Sequence, residues 1–122
     1  MYKEVKVGNT TVPMLANGAT PIRYRMVFGK DIISEFQLAD EDGGRVSTII
    51  TELAFIMAKA AEAQNGQISM ATLNQETFVD WLEQFEPMDL AMASEEIVEV
   101  YMGNQITHSE VKKKVKEPRT DK

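Results

Sequence analysis

Cysteine is absent from this 122-residue chain, which removes disulfides, thiol nucleophiles and thiolate metal sites together and fits a reducing compartment. Histidine occurs once, as His108, so one chain can build neither a histidine-based catalytic dyad nor a multi-histidine metal site. No segment approaches the roughly 20 consecutive apolar residues that a membrane span needs. The opening residues, MYKEVKVGNTTVP, alternate charged and apolar side chains and contain no apolar block of signal-peptide length. A cytoplasmic protein is expected. Also missing are a glycine loop that cradles phosphates, a dinucleotide-binding fingerprint and a nucleophile elbow. With every catalytic constellation lacking, the expectation is a binding protein that is not an enzyme and needs no cofactor or metal.

The formal charge of −6 is unevenly spread. From Val111 onward six Lys and Arg stand against Glu117 and Asp121, a net of +4, which leaves −10 on the rest. An acidic body repels phosphate backbones, so no specific nucleic-acid partner is expected. The last twelve residues, VKKKVKEPRTDK, have almost nothing to bury. They read as a disordered basic tail, 111–122, behind a single helical domain, 1–110.

What is present is helical periodicity. In VSTIITELAFIMAKAAEA, Val46 to Ala63, the residues Val46, Ile49, Ile50, Leu53, Met57, Ala60 and Ala61 fall on one stripe, and Ile56 broadens it. Phe55 and Ala54 lie off that stripe. A helix wanting cover on two faces is the central post of a small domain.

The other elements cover it. Tyr2 to Val7 alternates, Gly8-Asn9 supplies a two-residue turn, and Thr10 to Leu15 returns, which predicts a hairpin over 2–15 with Val5, Val7, Val12 and Met14 on one face. Pro13 marks its strand as an edge. Thr20 followed by Pro21 predicts a helix start, and Gly29 its left-handed stop. Asp31 caps a second short helix whose apolar edge is Ile32, Ile33, Phe36 and Ala39. Asp40 to Gly44 is a solvated connection. Gln67 to Asn74 reads as loop, ending in a cap at Thr72 or Asn74. In the next helix, ETFVDWLEQFE, Phe78, Trp81, Leu82 and Phe85 recur at the spacing of one buried face. Pro87 ends it and opens the last helix, Met88 to about Gln105, with a restart at Ser94. The fold class is mainly α (α+β), an N-terminal β-hairpin packed on a small bundle of about five helices.

Clustered carboxylates such as Glu83 with Glu86, or Glu95, Glu96 and Glu99, read as solvated helix faces rather than acid-base pairs, because they sit opposite the apolar stripes. Asp40 to Asp42 lack the ligand spacing of a calcium loop. Eight methionines are more than a rigid core needs, and methionine suits surfaces that adapt to a partner. Most have core duty at helical spacing; Met70, Met88 and Met92 are left over as candidate partner-binding residues. Arg23 and Arg25, cations on an acidic protein, join them.

The order of features resembles a family. ANGATPIRYRMVFGKDII, with Tyr24-Arg25 and Phe28-Gly29-Lys30-Asp31, then LAFIMAKAAEA, then FVDWLEQFEPMDL, then an acidic helix ending VYMGNQ, is similar to the tail assembly chaperones of long-tailed phages and prophages of Gram-positive bacteria. The resemblance spans about Ala16 to Gln105. It implies a non-enzymatic protein that keeps the tape measure protein soluble, promotes assembly of the tail tube protein around it in the host cytoplasm, and is absent from the mature virion. The family often makes a longer, frameshifted product, and Lys112-Lys113-Lys114 is encodable by a slippery run of adenines. The resemblance implies no catalytic residue. A homo-oligomer is compatible with such a role. The rival reading is a small helical adaptor or inhibitor of another protein, unrelated to tails.

Overall fold

A computed structural model describes residues 1–39 and 44–103. Most of the acidic connection after Ala39, His108, the end of the last helix near Gln105 and the basic tail lie outside the described residues.

Strands β1 (Tyr2–Val7) and β2 (Thr10–Leu15) form an antiparallel two-stranded sheet in which Val5 pairs with Val12 and Val7 with Thr10. This is the predicted register. Gly8 takes φ 64°, the positive value that a tight two-residue turn requires at its first position. Because side chains alternate across a strand, Val5, Val7, Val12 and Met14 share one face, and all four are buried. Lys3 pairs with Met14 on that same face, where it reaches the last helix. Pro13 sits opposite Glu4 in a strand that is an edge, as two strands demand.

Six α-helices follow among the described residues. They are α1 (Thr20–Phe28), α2 (Ile32–Ala39), α3 (Gly44–Gln64), α4 (Gln75–Leu82), α5 (Pro87–Met92) and α6 (Ser94–Met102). α3 is the central post. Every residue from Glu52 to Ala58 is buried, so all sides of its middle are covered. β2, α1, α2, α4 and α6 all pack on it. Full burial of each Ile, Leu or Phe there contributes roughly 1.5–3 kcal/mol of transfer free energy. The buried side chains form one cluster running from Val5 to Val100.

Aromatic rings bind α1, α3 and α4 together. Phe28 stands 5.1 Å from Phe78, Phe55 5.3 Å from Phe78 and 5.7 Å from Trp81, and Trp81 4.9 Å from Phe85, in tilted or edge-to-face pairs. Such geometry sets the positive ring edge against a negative face.

The helix ends follow their capping chemistry, with corrections. Gly29 closes α1 at φ 69°, its N–H donating to Arg25 O. The Asp31 carboxylate accepts from the Ser34 backbone N–H at 2.9 Å and opens α2. Thr20, expected as a cap, is already helical. The Ala19 N–H donates to Asn17 Oδ1 and the Asn17 N–H to Thr20 Oγ1, both at 2.9 Å, so Asn17 caps the turn that leads into α1 and the Thr20 hydroxyl folds back onto it. Ile33 does not join the apolar edge of α2. It is 62% exposed, because Ile32, Phe36 and Ala39 define a stripe that residue 33 faces away from. The expected loop 67–74 contains a 3₁₀ turn, Met70–Thr72, and Asn74 caps α4 with Thr77 as its reciprocal partner. α4 stops at Leu82 instead of running on to Glu86. The last expected helix is two, broken at Ala93, and Ser94 restarts it without a side-chain cap.

Candidate interaction surface

Three short interruptions leave an apolar surface incompletely covered. α4 ends early, α5 lasts only six residues, and α6 restarts after Ala93, so Leu82, Phe85 and Leu90 are left half-covered beside Ile50 and Ile97. They line a groove of about 300 Å³. A second, shallower depression of about 790 Å³ shares Ile50, Ala91 and Ser94 with it and continues past Met92 to Glu95, Glu96 and Glu99. The two make one trough with an apolar floor and an acidic end. Met92 lines the second depression and is 78% exposed, and Met88, one helical turn before it on α5, is 67% exposed.

Its electrostatics are one-sided. From Ala60 to Gly103 the chain has nine Asp and Glu and no Lys or Arg. One cation reaches the trough from elsewhere: Lys3 Nζ lies 3.2 Å from Glu96 and 2.9 Å from Glu99. Those carboxylates, Glu99 first, hold the Lys3 ammonium above its ordinary value. Glu86 and Glu95 stay exposed without an ion pair to any described residue.

The five candidate residues from the sequence fall in three places. Arg23 and Met70 meet in a separate cleft of about 260 Å³ between β2, α1 and the end of α3, with Leu15, Ile56 and Ala60. Met92 lines the trough, and Met88 lies one helical turn before it. Arg25 is exposed on α1, apart from both, where its charge helps depress the Asp31 carboxyl, although the Ser34 backbone N–H is the larger cause. Methionine exposure extends further than expected: Met26 is 69% and Met102 40% exposed. Met26 follows exposed Ile22 by one turn, a signal hidden in the sequence by the Arg residues between them.

A buried polar cluster went unforeseen. Tyr24 Oη donates to Glu52 Oε1 at 2.7 Å, and Lys30 Nζ donates to both Glu52 oxygens at 3.2 and 3.0 Å. Lys30 also lies 3.8 Å from Glu35, which Arg45 approaches at 3.4 Å. Burial, then the Glu52 hydrogen bond, pushes the Tyr24 hydroxyl far above its ordinary value. Every group in the cluster has a partner, and the cluster ties α1, α2 and α3 together. Among the described residues no three acids or histidines converge as a metal site, and no helix is long and apolar enough to cross a membrane.

Comparison with protein-family models, characterised proteins and solved structures gave no match to this chain.

Proposed function

We propose that this protein is a tail assembly chaperone, binding the tape measure protein of a long-tailed phage or prophage, keeping it soluble in the bacterial cytoplasm and promoting tail tube assembly around it. The observation that carries this reading is the ordered succession of the Tyr24-Arg25, Phe28-Gly29-Lys30-Asp31 and Trp81-Leu82-Glu83-Gln84-Phe85-Glu86 stretches. The architecture is compatible with it. Tyr24, Phe28 and Trp81 are buried framework residues, Phe85 lies on the floor of the trough, and that trough is the kind of adaptable apolar surface that weak, exchangeable binding of a helical client uses.

The test is co-expression with a tape measure protein, reading the client's soluble fraction. Client that stays insoluble beside abundant, folded chaperone overturns the proposal. An immunoblot of the N-terminally tagged native gene with its downstream DNA reads the second expected trait, a larger product continuing past Lys112-Lys113-Lys114 in a shifted frame.

A further inference from the structure

We infer that the trough between α3, α5 and α6 is the docking site for a basic amphipathic helix, with leucine-like side chains on the Ile50, Phe85 and Leu90 floor and lysines or arginines toward Glu86 and Glu95. The inference rests on the chaperone reading only for the identity of the client that carries such a helix.

Three observations fix the occupant's chemistry. The floor is apolar, and three of its side chains, Leu82, Phe85 and Leu90, are only partly buried beside the buried Ile50 and Ile97, which leaves apolar area for a partner to cover. A groove between helices accepts a helix, whose apolar stripe is continuous and whose backbone needs no edge to pair with. A strand would instead need an open ladder, and the trough offers only side chains. The rim then selects charge. No Lys or Arg occurs on α4, α5 or α6, and the two carboxylates at the acidic end that have a partner are already engaged by Lys3 from outside. Lys3 shows how a cation sits there, its ammonium bridging two glutamates of consecutive helical turns. Glu95, which lines the trough, and Glu86, which lies in the chain between the groove-lining Phe85 and Pro87, are exposed with no ion pair to a described residue and are left for the incoming helix. Methionines at 88 and 92 let one surface accommodate differently shaped apolar side chains.

The experiment uses the full chain and synthetic peptides of about five helical turns, with leucine at one-face helical spacing and the other face filled by lysine, by glutamate or by glutamine. Binding is read by calorimetry at low and high salt. The lysine peptide is expected to bind at least about tenfold tighter than the glutamine peptide and to lose that advantage in high salt, while the glutamate peptide shows no binding. Glu86→Lys with Glu95→Lys should weaken the lysine peptide by about tenfold and favour the glutamate peptide. Met92→Asp, which removes apolar surface beside the floor, should weaken the glutamine peptide. These positions are exposed, so an unchanged melting temperature confirms that each variant is folded. Equal binding of the three peptides, or no response to charge reversal, overturns the inference.

Other occupants give their own outcomes. A chain ended at Glu110 that binds the lysine peptide about tenfold tighter would make the protein's own basic end the occupant. Self-association abolished by Met92→Asp would make it a second copy. Either overturns the assignment. Co-expression separates this inference from the function it rests on. If the charge-reversed chain still keeps a tape measure protein soluble, the trough assignment falls and the chaperone reading stands. If the peptides discriminate as expected and the wild-type chain fails to solubilise that client, the trough stands and the chaperone reading falls.

Discussion

The Tyr24 hydroxyl and the Glu52 carboxylate, 28 residues apart, are joined by a 2.7 Å hydrogen bond inside the angle between α1 and α3. Tyr24 is fully buried and Glu52 6% exposed, so the bond replaces hydration that neither group retains. Tyr24→Phe is expected to cost about 1.5 kcal/mol, the lower end for a bond to a charged acceptor, because Lys30 still satisfies Glu52. Urea unfolding of the two proteins measures it.

The same residue sets an alkaline limit. The folded Tyr24 hydroxyl holds its proton well above the ordinary value of 10.0, so the folded state binds that proton more tightly than the unfolded chain. Its contribution is complete below about pH 10 and is lost as pH rises further. Melting temperatures followed from neutral to strongly alkaline pH should fall more steeply for wild type than for Tyr24→Phe. Tyr101, raised by its own burial, leaves a residual slope in both.

Asp31 acts in the opposite direction at the other end of the scale. The Ser34 backbone N–H and hydroxyl hold its carboxyl below the ordinary 3.8, so the stabilisation is present above that value and fades as pH falls through the lowered one. Asp31→Ala should melt earlier than wild type at neutral pH, and the gap should close in acid. Thermal melts of both proteins across that range check it.

Gly8 carries two constraints that a double-mutant cycle separates. Its φ of 64° disfavours any side chain, and a Cβ there would come within 2.4 Å of Asp89 Oδ2 on α5. Gly8→Ala should lose about 2 kcal/mol. Adding Asp89→Ala should restore the steric part and leave about 1 kcal/mol for the left-handed backbone. Denaturant midpoints of the four proteins measure both parts.

Phe55 touches Phe78 and Trp81 at the junction of α3 and α4. Truncating it to alanine should cost about 3–5 kcal/mol, the usual loss for a buried phenylalanine. Trp81 emission, blue-shifted in the folded protein because the ring is buried, should move to the red at a much lower denaturant concentration in Phe55→Ala.

Elements built on a single repeating pattern were legible in the sequence. The hairpin register follows from alternation plus Gly8-Asn9, and the central role of α3 from the breadth of its apolar face. The exceptions lie where a tertiary partner reverses a local rule. Glu52 looks like the polar side of an amphipathic helix, and only the arrival of Tyr24 and Lys30 from α1 and the turn after it makes its burial tolerable. The restart at Ser94 was legible from Ser94 with Glu95 and Glu96 behind it, while the early stop of α4 at Leu82, four residues before Pro87 demands one, was not. Of the candidate site, Met88 and Met92 were legible as methionines without core duty. The trough beside them depends on where α4 and α5 stop, and periodicity is weakest at helix ends.

A Cβ on Gly103 would lie 3.6 Å from the Met1 Cβ, and the Ala16 N–H donates to Met1 O at 2.8 Å, so the first residue sits where α6 finishes. Residues 1 and 103 therefore lie side by side. A short linker from residue 103 to residue 1, with the chain reopened at the exposed turn of Asn65 and Gly66, would preserve every strand, helix and core contact described above. It would also place both new ends beside the mouth of the Arg23 and Met70 cleft, where Gln64 is a neighbour, and leave the trough untouched.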